Sequence, residues 1–191
     1  MAAEVPRRLI VAMTGATGIV YGVRALEALK AAGVETHVIV SKWAARTLVH
    51  ETAYSVEQIN ALATEVHAAA DLGASIASGS FLTLGMLIAP CSMRTLGAIA
   101  NGFGDNLIHR AADVVLKERR RLVLAVQETP LSPVHLENML KLSRLGVSIA
   151  PPAPAFYTRP ATIDDLVDYT VARLLDQFGI HTDSAARWTG L

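Results

Sequence analysis

Short apolar runs alternate with stretches of helical period along this chain. Leu9-Ile10-Val11-Ala12, inside Arg8 to Met13, predicts a first strand. From about Gly18 to Ala32, Val20, Val23, Leu26 and Leu29 recur at helical spacing until Gly33 stops the pattern. Thr36 to Val40 predicts a second strand and Lys42 to Val49 a second helix. Mixed helical pattern from Glu51 to Asn60 and a short strand at Thr64 to Ala68 follow. Gly85 to Ala89 and Leu122 to Val126 are continuous apolar runs of the kind buried on both faces of a parallel sheet. Helices are expected from Leu96 to Ala100, Leu107 to Leu116 with Asp105 as cap, Pro133 to Leu145, and Ile163 to Phe178 capped by Thr162. Val147 to Ala150 is a last short strand.

A strand, helix, strand order of this length is the βαβ unit of a parallel sheet, so the chain reads as α/β with ligands at the carboxyl ends of the strands. Two loops there carry suitable chemistry. The first, Met13-Thr14-Gly15-Ala16-Thr17-Gly18, is built of small residues before a helix N-terminus, where unpaired N–H groups and the positive dipole end suit a phosphate. The second, Pro90-Cys91-Ser92-Met93-Arg94-Thr95, repeats the arrangement with two hydroxyls. The full G-x-G-x-x-G of dinucleotide sites is missing, and the second strand ends in Ser41 where a ribose-binding carboxylate would stand. Ser41 is read either as a phosphate ligand or as a helix cap. The small-residue stretch Asp71 to Phe81 is a long loop, a subunit contact or a lid. The basic run Lys117-Glu118-Arg119-Arg120-Arg121 is a solvated helix end or an anion site.

Composition narrows the class. With 191 residues, 52% hydrophobic content and 17 basic against 17 acidic residues, the chain supports one compact domain, residues 1–191. The charge balance argues against nucleic acid as partner. No apolar run reaches the ~20 residues of a membrane span, and Met1 to Arg8 is unlike a secretory signal, so a cytoplasmic protein is expected. The single Cys91 leaves no internal disulfide and only an intermolecular one open. Six scattered histidines show no metal-ligand spacing, and no metal is expected.

Several separated segments together resemble the UbiX-type flavin prenyltransferases. They are Thr14-Gly15-Ala16-Thr17-Gly18 with Tyr21-Gly22, Ala77 to Phe81, Pro90 to Thr95, and Asn106-Leu107-Ile108 with Arg110 to Val114. Further along come Leu116 to Arg120, Glu128 to Ser132, His135 to Leu140 and Pro154-Ala155-Phe156-Tyr157. The resemblance implies a three-layer Rossmann-like or flavodoxin-like fold with a mostly parallel sheet, bound FMN, and a homo-oligomer, commonly a dodecamer, with sites at subunit interfaces. It implies transfer of a dimethylallyl group from dimethylallyl phosphate to N5 and C6 of reduced FMN, with a UbiD-type decarboxylase receiving the prenylated cofactor.

By position, the resemblance assigns Gly15, Ala16, Thr17, Ser41, Ser92, Met93, Arg94 and Thr95 to FMN, with Arg110 near the flavin or in a structural ion pair. Thr17 stands where many relatives have serine. Lys117, Tyr157 and Arg173 would bind the prenyl phosphate, Glu128 would be the acid/base group, and Trp188 would close the site from a tail at about 179–191 that packs over the site or a neighbouring subunit. The cations suit a departing phosphate and the aromatic faces an allylic cation. One position departs from the pattern: Gln127 stands where relatives usually carry an arginine before Glu-Thr-Pro. Two alternatives follow, an FMN-binding homologue with lost or altered prenyl transfer and a flavin-dependent decarboxylase of the phosphopantothenoylcysteine type.

Overall fold

The computed structural model describes residues 6–182 and 190. Six parallel strands form one sheet in the order β3-β2-β1-β4-β5-β6: β1 (Arg8–Met13), β2 (Glu35–Val40), β3 (Glu65–His67), β4 (Gly85–Cys91), β5 (Arg121–Val126) and β6 (Ser148–Ile149). This is the Rossmann strand order, and every strand is parallel. The order reverses between β1 and β4, so their carboxyl ends diverge into a crevice at the switch point.

Two apolar layers flank the sheet. On one face α1 (Ile19–Ala31), α2 (Lys42–Glu51), α3 (Val56–Asn60) and α7 (Ile163–Asp176) cover Leu9, Val11, Met13, Val38, Leu87 and Val123. On the other, α4 (Met93–Ala100), α5 (Leu107–Lys117) and α6 (Pro133–Arg144) cover Ile10, Ile39, Met86, Ile88, Leu122 and Leu124. Alternation along each strand sends neighbouring residues to opposite layers, and both layers are dry, which is why β1, β4 and β5 read as unbroken apolar runs. Each fully buried leucine or isoleucine contributes about 1.5–3 kcal/mol. Arg24 ties α1 to α7 through two bonds to Asp168, at 3.0 and 3.1 Å.

Some boundaries move for identifiable reasons. The helix after β4 starts at Met93 rather than Leu96, because the Ser92 hydroxyl accepts the Thr95 N–H and caps it there. Asn106, not Asp105, caps α5 by accepting the His109 N–H at 3.1 Å, and Asp105 turns to His109 and Arg94 instead. Between Glu51 and Asn60 only Val56–Asn60 is helical, opened by a Ser55/Gln58 capping box.

The 71–81 stretch is a loop holding a 3₁₀ turn at Ser75–Ala77, pinned from α5 and its exit. Arg110 donates to the Ala77 carbonyl, and Arg120 donates to those of Phe81 and Gly79. Arg120 is therefore structural rather than a solvated charge. Cys91 is fully buried, which excludes the intermolecular disulfide, and burial pushes its thiol up to about 12. No helix among the described residues is long and apolar enough to cross a membrane.

Candidate functional site

The crevice at the switch point encloses about 440 Å³, within the range of small-molecule sites. Three strand ends build it. Thr14 and Gly15 follow β1, Ser41, Lys42 and Trp43 follow β2, and Ser92, Arg94 and Thr95 follow β4. Ala69 forms one wall, and Asn106, Ile108 and His109 at the start of α5 form another.

Thr14 joins two of these loops. Its buried hydroxyl donates to the Pro90 carbonyl at 2.9 Å and accepts the Ser92 N–H at 2.8 Å. Ser41 and Ser92 cap α2 and α4 through the third N–H group of each helix. Such a cap leaves the first N–H groups of both helices for an anion, with the dipoles adding positive potential. Ser41 is thus a helix cap that also lines the crevice.

The first loop behaves differently from its sequence expectation. The Glu51 carboxylate at the end of α2 accepts the Gly18 and Ile19 N–H groups at 2.9 and 3.1 Å. The α1 N-terminus is thus neutralised by the chain's own acid, and Ala16 and Thr17 are not among the crevice residues. Gly15 is required by space: a Cβ there would come within 2.4 Å of the Trp43 Cβ.

His109, absent from the sequence-based set, is buried in the wall and paired with Asp105 at 2.8 Å. Burial pushes its imidazole below the ordinary range, against the opposite pull of Asp105. Lys42 and Trp43 are likewise crevice residues that sequence reasoning left out, while Thr14 and Asn106 stood in the segments it singled out without being given a role. Asn106, an Asn immediately before an apolar helical run, carried the one local signal that marks a wall position.

The other predicted residues divide into groups. Met93 packs partly buried against the apolar layer beneath α4, while the exposed Arg94 reaches Asp105 at 3.3 Å. Gln127 hangs its N–H on the Cys91 carbonyl at 3.2 Å, which brings the end of β5 beside the Ser92 turn. Glu128 follows it, exposed, with its carboxylate on the Thr129 N–H at 3.0 Å. Arg110 is in the ion pair, with Asp113 at 2.8 Å, and faces a second hollow beside Phe103.

Lys117, paired with Glu118, is eight residues beyond His109 on α5, about 12 Å along the helix. Tyr157 stacks edge-on against Tyr169 at 5.9 Å, one turn before Arg173 on α7. None of Lys117, Tyr157 and Arg173 lines the crevice of this chain. Trp188 lies outside the described residues.

The donors fit a flavin mononucleotide. Lys42, Arg94 and two capped helix N-termini could hold a phosphate, Trp43, Ala69 and Ile108 could wall a ring system, and a glycine keeps the floor open.

The histidines need a correction. Spacing along the chain hides that β2 and β3 bring His37, Glu65 and His67 together, with their ligand atoms within 4.8 Å of one another.

Comparison with known proteins agrees with the fold. The flavoprotein family model matches residues 2–175. The chain is 56% identical to the flavin prenyltransferase UbiX of Neisseria meningitidis, over 97% of this chain and 98% of that protein. It superposes with a TM-score of 0.96 on AnUbiX (PadA1) in complex with FMN and dimethylallyl pyrophosphate, at 52% identity over 97% of this chain and 99% of that one. It superposes at 0.94 on a dodecameric FMN-dependent UbiX-like decarboxylase from Escherichia coli O157:H7, at 56% identity over 96% and 100%. A phosphopantothenoylcysteine decarboxylase, at 22% identity and a TM-score of 0.61, shares the fold alone. The chain belongs to the flavoprotein family and, within it, to the UbiX-type flavin prenyltransferases.

Proposed function

We infer that this protein is a flavin prenyltransferase that joins a dimethylallyl group to reduced FMN, from dimethylallyl phosphate or its diphosphate. The observation that carries the reading is the crevice at the β1/β4 switch point, clamped by Thr14 and walled for a mononucleotide, in a chain over half identical to such enzymes along nearly its whole length. Neither alternative is favoured, and the relationship to the phosphopantothenoylcysteine type of decarboxylase is one of fold only.

Reduced FMN, when bound, supplies the nucleophilic N5 and C6. The chain's part is to hold and steer. Gly15 leaves room at the floor, while Ser41, Ser92, Thr95 and the helix ends they cap hold the FMN phosphate. Ala16, Thr17 and Met93 bear on the cofactor through the loop backbones. Trp43 and Ile108 exclude water from the reacting faces. Lys117, Tyr157 and Arg173 hold the phosphate of the prenyl donor, so that negative charge developing as the C–O bond breaks meets fixed cations and a phenol. The Glu128 carboxylate would accept a proton released from the flavin as its new bond to carbon forms and pass it to the departing phosphate.

Because Lys117, Tyr157 and Arg173 stand away from the crevice of their own chain, they act on the crevice of neighbouring copies in a homo-oligomer, a dodecamer by analogy with the Escherichia coli protein. Trp188, outside the described residues, is proposed to close the site from the C-terminal tail. Exposed Trp43 beside the crevice and Phe156 beside Tyr157, at 61% and 70%, suit coverage by such copies. A UbiD-type decarboxylase is the recipient of the product, and the free thiol of Cys91 suits a reducing cytoplasm.

Anaerobic incubation with reduced FMN and dimethylallyl phosphate, followed by mass and absorbance analysis of the cofactor, tests this. A cofactor heavier by one five-carbon unit is expected. FMN bound but unmodified, with both mono- and diphosphate donors, would refute it. Gln127→Arg is expected to lower the KM for the donor by restoring a charge-assisted bond.

A further inference from the structure

Away from the crevice, β2 and β3 present a second cluster of chemically capable groups. His37 and His67 are 1% and 7% exposed, and their Nδ1 and Nε2 atoms stand 2.9 Å apart. Glu65 brings Oε2 to 3.5 Å from His37 Nδ1 and Oε1 to 3.8 Å from His67 Nε2. The far nitrogen of His37 is held as well. Its Nε2 lies 3.0 Å from the Glu35 carboxylate, which Arg8 grips in turn at 2.7 Å.

That outer contact decides the tautomer. An unprotonated carboxylate accepts, so Nε2 of His37 carries the proton and its Nδ1 accepts the Nε2–H of His67, a proton that His67 moves to its other ring nitrogen when a cation takes its place. A carboxylate on the second nitrogen of an imidazole is the arrangement that orients histidine ligands in metal sites. We propose that His37 Nδ1, His67 Nε2 and the Glu65 carboxylate form a binding site for a late first-row divalent cation, with zinc as its representative.

The spacing is right for it. Ligands ~2.0–2.2 Å from a tetrahedral zinc stand roughly 3.3–3.6 Å from one another; here one ligand atom from each of the three residues lies within 4.8 Å of the others, and the two imidazole nitrogens, 2.9 Å apart in a hydrogen bond, open by a few tenths of an ångström to take the cation. Two imidazoles and one carboxylate favour zinc, nickel, cobalt or copper over magnesium or calcium. Phe81 closes one side with its ring edge-on to His37 at 4.9 Å, while Glu65, 54% exposed, leaves an entry path and room for a water as fourth ligand. Such a cation would pin β3, an edge strand of three residues, to β2. None of the three residues lines the crevice, although His67 stands two residues before Ala69 in its wall, so the cation would hold the crevice edge in place rather than meet the reacting groups.

Titration of the chelator-stripped full-length protein with zinc chloride, followed by calorimetry and thermal unfolding, tests the site. One zinc per chain with a raised unfolding midpoint is expected, and magnesium chloride should give neither. Glu65→Gln and His67→Gln should each weaken zinc binding at least tenfold. Glu35→Gln, which touches only the outer shell, should weaken it ~10–100-fold, whereas His181→Gln on the far side should change nothing. Absence of saturable zinc binding, or a Glu65→Gln protein that binds zinc as tightly as its parent, would overturn the proposal. Glu65 is half exposed, so that variant keeps the test independent of any folding defect in His67→Gln.

Discussion

The hydroxyl of Thr14 bridges two loops that lie 76 residues apart in the chain, donating to Pro90 and accepting from Ser92. Both partners are shielded, so replacing the hydroxyl by a methyl strands an acceptor and a donor together. Thr14→Val keeps the shape and is expected to cost about 1–3 kcal/mol of stability, read from chemical denaturation, and to weaken FMN binding as the two loops separate. An unchanged denaturation midpoint would remove Thr14 from the clamp. His109 makes a second residue-scale prediction, this one in pH. Burial holds its imidazole below the ordinary value of about 6.5, so on acidification the unfolded chain takes a proton that the folded chain refuses. Stability should fall as pH drops below that value, and burial of His67 acts in the same direction. With Asp105 and Arg94 facing it, His109→Gln is expected to flatten the decline of unfolding temperature between pH 7 and pH 5.

At the scale of elements, β1, β4 and β5 were legible because a strand buried on both faces is apolar at every position. The crevice-forming turns were legible too, since hydroxyls and glycines at strand ends have local causes. What sequence could not carry was pairing at a distance. Glu51 on the α1 N-terminus, thirty-three residues from Gly18, silences a phosphate site that the loop composition advertises. His37 and His67 meet only because β2 and β3 pair in register. Asp105 lost the cap to its neighbour Asn106, a one-residue choice between two good capping residues. The packing of α1 on the sheet is equally specific. A Cβ on Gly22 would stand 2.3 Å from the Ala89 carbonyl and 2.9 Å from Met13, with backbone on one side that cannot yield. Gly22→Ala is therefore expected to destabilise by about 1–3 kcal/mol despite its better helix propensity. A thermal midpoint at or above that of the parent protein would show that α1 can shift away from β4.

At the scale of the whole molecule, the crevice is built at one end of the sheet, while Lys117 sits at the far end of α5 and Tyr157 and Arg173 gather about α7. The residues proposed for donor binding are thus not brought to the crevice within a single copy. Closed symmetric assembly resolves this, because each copy can offer its cations to one neighbour and its crevice to another. The crevice of one copy, with its Glu128, is proposed to transfer the prenyl group only when Lys117 of another copy meets the phosphate. Formation of prenylated FMN by mixed assemblies tests it most directly. Lys117→Ala and Glu128→Gln chains should each form little product alone, with FMN still bound. Dissociated and reassembled together in equal amounts, they should regain activity at roughly a quarter of the sites, those pairing an intact crevice with an intact lysine. Mixed assemblies no more active than the sum of the two separate variants would contradict the claim.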